Sequence, residues 1–87
     1  MKIVMKDIEI IAWFKKDEYP IPLRIRLQDE DLENVVIPIE NILFSEMEKY
    51  AGNRMILYRC KSIINNRERL FELKFEVDTW KWYLYRI

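Results

Sequence analysis

Few side chains in this 87-residue sequence could carry out acid–base or nucleophilic chemistry. The chain contains no histidine, which removes imidazole catalysis, histidine-based nucleophile triads and histidine metal sites. Aliphatic hydroxyls occur only at Ser45, Ser62 and Thr79, and neither a base motif nor a glycine-rich phosphate loop accompanies them. We therefore expect a protein that is not an enzyme and that binds no cofactor.

The single cysteine, Cys60, could act as a nucleophile only as a thiolate. It lies in an alternating apolar run beside Tyr58, and the expected strand pairing places it opposite Phe71. A thiol buried in this way behaves as a small hydrophobic group with a raised pKa. One cysteine also allows no internal disulfide, which indicates a reducing compartment and predicts a cytoplasmic protein.

Clustered carboxylates suggest two further kinds of chemistry. The acidic run over residues 29–33 could offer oxygen ligands to Mg²⁺ or Ca²⁺, but it lacks the glycine-bearing spacing of an EF-hand loop. Glu72 and Glu76 could exchange protons with a substrate, yet Lys74 stands between them. We interpret the run as a solvated loop and the pair as part of an ion-paired strand face, so no metal site is predicted.

Charge is balanced overall but unevenly distributed along the chain. The formal net charge is zero. Residues 1–50 carry seven basic and eleven acidic side chains, whereas residues 51–87 carry eight basic and four acidic ones. We expect a dipolar surface unless the two halves interleave in space.

The clearest structural pattern covers residues 54–87. Two short breaks, at Asn65–Asn66 and Asp78–Thr79, divide this segment into three runs that alternate apolar and polar residues. Alternation with a period of two, interrupted by turn residues, is typical of an antiparallel β-meander.

A two-residue loop at Asn65–Asn66 determines which residues face each other across the first hairpin. The apolar pairs that follow are Ile56–Phe75, Tyr58–Leu73 and Cys60–Phe71. On the opposite face, Arg59 lies across from Glu72, a favourable pairing of charges. The second turn adds Trp82 and Leu84 to the apolar face.

The first half of the chain is predicted to supply further strands, with one ambiguous segment. Candidate strands cover residues 8–14, 23–27 and 35–39. In residues 40–50 the spacing of Ile42, Met47 and Tyr50 also fits a helix. We favour a strand to about Phe44, followed by a turn or short helix over residues 45–51.

These patterns predict a single all-β domain over residues 1–87. We expect a small antiparallel β-barrel or a meander of five to six strands, with a short helical turn near residues 45–51. No apolar run approaches the length of a membrane span, so no membrane association is expected.

The outward side of the meander is the candidate binding surface, which we call the meander face. Its members are Arg59, Lys61, Lys74, Lys81, Tyr83 and Tyr85. Aromatic rings interleaved with basic residues on a sheet are what single-stranded nucleic acids bind, through stacking and phosphate contacts. Glu72 and Glu76 share this face and oppose phosphate binding, so an ordinary amphipathic or covered face is the alternative.

The functional expectation is a non-enzymatic binding module whose partner is a nucleic acid or a protein. In the first case the meander face makes the contact. The alternative is a protein-interaction or self-associating module, including a homodimer, that pairs through an edge strand. The last strand, over residues 82–87, is the candidate edge.

Several segments carry a resemblance to a family of small uncharacterised proteins of Gram-positive bacteria. They are AGNRM (51–55), YRC (58–60), ELKFE (72–76) and DTWKWYL (78–84), together with PLRIR (22–26). The resemblance covers most of the chain and implies no activity. More loosely, the proline-led early strand and the aromatic closing strand are similar to a small domain associated with lesion-bypass DNA polymerases in some bacteria.

Overall fold

The computed structural model describes residues 1–28 and 34–87 of the chain. These residues form eight β-strands and no helix. The strands are β1 (Ile3–Asp7), β2 (Glu9–Trp13), β3 (Ile21–Gln28), β4 (Asn34–Pro38), β5 (Asn41–Tyr50), β6 (Asn53–Ile64), β7 (Arg67–Glu76) and β8 (Lys81–Arg86).

Two antiparallel sheets make up the fold. One has five strands in the order β1-β8-β7-β6-β5, and the other has three in the order β2-β3-β4. The chain crosses between the sheets at Ile8, whose N–H donates to the carbonyl of Trp82 at 3.2 Å. It crosses back at Ile39 and Glu40, whose N–H groups donate to Leu23 at 2.9 Å and Lys61 at 3.0 Å.

The all-β, antiparallel meander prediction is confirmed, but the two sheets do not close into a barrel. The described residues also form more strands than the five or six expected. The two additional strands are β1, in a segment for which no strand was expected, and β5, which the crossing at Ile39 and Glu40 separates from β4. Residues up to Asp7 pair with β8, while Glu9 onwards pairs with β3.

The meander has the predicted register. Cys60 faces Phe71, Tyr58 faces Leu73 and Ile56 faces Phe75. The turn between β6 and β7 is the two-residue loop at Asn65 and Asn66, with φ angles of 52° and 63°. Asparagine tolerates this left-handed conformation better than most residues, which is why an Asn–Asn pair suits a tight hairpin.

The helical turn expected near residues 45–51 is absent, because that segment belongs to β5. From Phe44 to Tyr50 the strand pairs residue by residue with β6. The two strands are joined by a two-residue loop of Ala51 and Gly52, whose φ angles are 49° and 84°. Cross-strand pairing through this hairpin outweighs the helical spacing of the apolar residues, and Gly52 forms the loop rather than ending a helix.

The last strand is not an edge, contrary to the prediction. β8 lies between β7 and β1, since Asp7 pairs with Tyr83 and Lys6 with Leu84. The edges of the five-stranded sheet are β1 and β5, and those of the three-stranded sheet are β2 and β4.

The core lies between the two sheets. The five-stranded sheet contributes most of the buried side chains: Ile56, Tyr58, Cys60, Phe71, Leu73, Phe75, Trp82 and Leu84. Ile25 and Ile37 cover them from the three-stranded sheet. Burial of each large apolar side chain contributes about 1.5–3 kcal/mol before the entropy of ordering is counted.

Two hydroxyl groups on β6 form hydrogen bonds that join the three-stranded sheet to the five-stranded sheet. The Tyr58 hydroxyl donates to the carbonyl of Pro20, just before β3. The Ser62 hydroxyl donates to the carbonyl of Pro38, at the end of β4, at 2.7 Å. Both bonds give a polar group at the core boundary the partner that burial requires.

Candidate functional site

Glu72 is the centre of the meander face, and it is fully buried. Its Oε2 accepts hydrogen bonds from Nε and Nη2 of Arg59 at 3.1 and 3.0 Å, and its Oε1 accepts one from Nε of Arg86. These bonds, Arg86 foremost, hold the pKa of Glu72 below its ordinary value although burial alone would raise it. The charge of Arg59 is therefore already matched within the molecule.

Lys74 and Tyr85 form the second cluster of the meander face. The Lys74 ammonium lies 3.0 Å from Oε1 of Glu48, a residue of β5, and both side chains are mostly buried. The same ammonium lies 3.9 Å from the centroid of the Tyr85 ring. Lys74 therefore covers one face of the Tyr85 ring, on which a base would otherwise stack.

The remaining members of the meander face are engaged to differing degrees. Lys61 lies 3.4 Å from the exposed Glu68 carboxylate. Burial and the nearby Glu76 carboxylate raise the pKa of Tyr83. The pKa of Glu76 is lowered, mainly by its hydrogen bond from Thr79. The structure thus brings the six predicted residues onto one face, but Arg59, Lys61 and Lys74 are ion-paired there.

At the margin of the same sheet, β5 leaves its outer backbone groups without strand partners. Within the described residues β5 pairs with β6 alone. In an antiparallel strand, about half of the N–H and C=O groups point away from a single neighbour, so these groups form a free edge. Apolar side chains are exposed along it: Leu43, Phe44, Met47 and Tyr50. The sequence predictions missed this edge because they assigned residues 45–51 to a turn or short helix.

The other edge strands are shorter and more irregular than β5. β1, β2 and β4 have five residues each, whereas β5 has ten. β1 contains a bulge with Met5 at a positive φ of 41°, β2 has a register shift after Ile11, and β4 ends at Pro38. Bulges and prolines of this kind discourage pairing with another chain. β5 has a register shift of its own between Ile42 and Phe44, but its stretch from Phe44 to Tyr50 contains neither a bulge nor a proline.

A cleft of about 630 Å³ lies beside the free edge of β5. It is lined by Ile42 and Ser45 of β5, by Tyr58 of β6, by residues 17–20 of the β2–β3 connection and by Ile21 of β3. Burial is the main cause that raises the pKa of Tyr58, and its hydroxyl is bound to Pro20, so this group offers no acid–base chemistry near neutral pH. Asp17 and Glu18, both exposed, are the carboxylates of the lining, and we call them the rim carboxylates.

A third surface is the outer side of the three-stranded sheet. Ile11, Trp13 and Val36 are exposed there, and Arg24 lies between them. Ile11 and Trp13 alternate with Glu9 on this side of β2, a pattern that could have indicated an apolar surface here. A pocket of about 310 Å³ opens on this side, but its mixed apolar and charged lining defines no particular ligand.

The side chains that could support catalysis or metal binding are not arranged for either role in the described residues. Cys60 is fully buried, and this burial raises the pKa of its thiol to about 12. Within residues 1–28 and 34–87, no group of three or more cysteine or carboxylate side chains could hold a metal ion. The acidic run at 29–33 lies outside the described residues. The part of the chain that the structure describes contains no helix that could span a membrane.

Comparisons with protein-family models, with curated proteins and with solved structures found no match for this chain. The resemblance to a family of small Gram-positive bacterial proteins therefore stays a prediction.

Proposed function

We propose that the protein is a non-enzymatic interaction module that binds an extended segment of another protein along the free edge of β5. The observation that carries this proposal is the outer side of β5 over Phe44–Tyr50, a regular stretch of seven residues that no other described strand pairs with. An added strand would satisfy its backbone groups by β-augmentation. The exposed Phe44, Met47 and Tyr50 would contribute apolar contacts to the same partner.

The chemistry of the interior supports a binding role rather than a catalytic one. Cys60 is buried as a protonated thiol and Glu72 is held by two arginines. Neither group has any exposed surface in the folded protein. A cytoplasmic location belongs to the same proposal, since the single thiol needs no oxidising compartment.

Nucleic-acid binding through the meander face is the second candidate function. Its support is the cluster of Tyr83, Tyr85 and Lys81 on one face. Against it, phosphate groups would have to compete with Glu72, Glu48 and Glu68 for the neighbouring cations. Binding of oligothymidylate at low salt, lost in the Tyr83→Ala, Lys74→Ala double variant, would favour this candidate over the edge-strand proposal.

Peptides with blocked backbone amides test the edge-strand proposal. Linear ten-residue peptides are selected from a random displayed library against the folded full chain, and the best binder is resynthesised with N-methyl groups on alternate residues. Only alternate amides of an added strand face β5, so the two possible sets of alternate positions, which we call the two phases, are not equivalent. Methylation in the phase that faces β5 should weaken binding by about tenfold or more, and methylation in the other phase should not. Equal effects of both phases, or a selection without binders, would overturn the proposal.

A matched pair of variants locates the binding edge. Met47→Lys places a charge on β5, and Ile3→Lys places one on β1, the other edge of the sheet. Both side chains are exposed, so both variants should fold. Loss of peptide binding in Met47→Lys alone is expected, whereas loss in Ile3→Lys alone would assign the interaction to β1.

A further inference from the structure

The cleft beside β5 lies where a partner strand would project its side chains. Ser45 lines the cleft and faces Tyr58 on the inner side of the sheet. Successive side chains of a strand alternate between faces, so every second residue of a segment paired with β5 would project to the same inner side as Ser45. A side chain at the level of Ser45 therefore enters the cleft, or lies over its mouth.

The lining of the cleft combines buried or half-buried side chains that are largely apolar with two exposed carboxylates. Ile21, Ile42 and Tyr58 belong to the first group and Asp17 and Glu18 to the second, and no basic side chain lines the described part of the cleft. Such a combination fits a side chain with a long apolar stem and a cationic end.

The two rim carboxylates are not equivalent. Glu18 Oε2 lies 3.5 Å from the Lys15 ammonium, and both side chains are exposed, so part of its charge is offset. Asp17 forms no ion pair with any residue in the described parts of the chain. Asp17 is therefore the main anionic group available to a ligand.

We propose that this cleft receives a lysine or arginine side chain of the extended partner segment that pairs with β5. The inference rests on the proposed function, because the paired segment is what carries the basic residue to the cleft. It adds a sequence requirement to that function: a basic residue at one inner-facing position, between residues that favour strands.

The selected peptides test the requirement. Their sequences should share a lysine or arginine at a fixed position, and replacing it by norleucine in a synthetic peptide should weaken binding about tenfold. The variant Asp17→Asn should weaken the lysine peptide by about threefold or more and leave the norleucine peptide unchanged. Asp17 has a φ of 61°, a conformation that asparagine also adopts readily, so this variant should fold normally.

A second neutralised carboxylate serves as the control. Glu68→Gln removes an exposed charge at the tip of the β6–β7 hairpin, away from the cleft lining, and should not change the affinity for either peptide. Equal weakening by Asp17→Asn and Glu68→Gln would show a general effect of net charge and overturn the inference.

The remaining outcomes separate the inference from the proposed function. If binding depends on the phase of N-methylation but not on the lysine or on Asp17, the edge pairing stands and the basic requirement is wrong. If the phase has no effect, both fail. If the protein alone dimerises at high concentration and Met47→Lys abolishes the dimer, a second copy occupies the edge and the inference is overturned.

Discussion

The meander face and the free edge of β5 belong to one sheet, but they differ in what is left unpaired. On the meander face, Glu72 forms ion pairs with Arg59 and Arg86, and Glu48 forms one with Lys74. At β5, none of the described strands lies beside the outer backbone groups, and Asp17 across the cleft forms no ion pair with a described residue. The meander face has more charged and aromatic residues. The free edge of β5 has more hydrogen-bonding and charged groups that are available to a ligand.

The difference follows from position in the sheet. A residue of an interior strand has cross-strand neighbours on both sides. The register of the sheet can therefore place an opposite charge beside a charged side chain there. An edge strand has one neighbour and keeps half of its backbone groups available. The types of residue on a surface therefore predict binding less well than the number of its polar and charged groups that have no partner within the protein.

The largest effect we predict is the loss of stability when the central carboxylate of the meander face is removed. Glu72→Gln should lower the free energy of unfolding by about 2 kcal/mol, because Glu72 is buried while its arginines are partly exposed. The matched variant Glu46→Gln, on exposed β5, should change it by less than about 0.5 kcal/mol. Urea unfolding measures both. Equal effects would mean that internal pairing does not hold the meander face.

The pH dependence of unfolding gives a second, smaller contrast. The pKa of Glu72 is lowered in the folded state, so its contribution is complete above the ordinary pKa of a carboxyl group and is lost as the pH falls through the lowered value. Urea midpoints should fall as the pH drops below the ordinary pKa of a carboxyl group, and the slope should be shallower in Glu72→Gln. An unchanged slope in the variant would contradict the assignment.

The smallest effect concerns the hairpin that holds β5 at the edge. Ala51 adopts a φ of 49°, a left-handed conformation that is costly for a residue with a Cβ. Ala51→Gly should raise the free energy of unfolding by about 0.5–1 kcal/mol without altering peptide binding, because β5 stays in register. A loss of stability would indicate that the loop does not have the described conformation.

The sequence predicted the meander well because its information is local. Alternation in residues 54–87 and the Asn65–Asn66 turn determine both the strands and their register, so Cys60 and Phe71 could be placed in the core in advance. The pairing of Arg59 with Glu72 followed from the same arithmetic. Each of these contacts spans a single tight hairpin.

Contacts that join distant segments were not predictable in the same way. The partner of Lys74 is Glu48, which lies in the segment interpreted as a turn or short helix. The second partner of Glu72 is Arg86, brought close by a register shift between Glu72 and Leu73 that alternation does not reveal. The cleft likewise joins residues 17–21 to β5 only after the two sheets have packed together.

Amide hydrogen exchange of β5 with and without the selected peptide tests the central claim most directly. We predict that alternate amides between Phe44 and Tyr50 exchange rapidly in the free protein and become protected by about a hundredfold or more in the complex. Amides of β1 should not change. Protection of β1, or of the meander strands without any change in β5, would contradict the claim that β5 is the open edge of this protein.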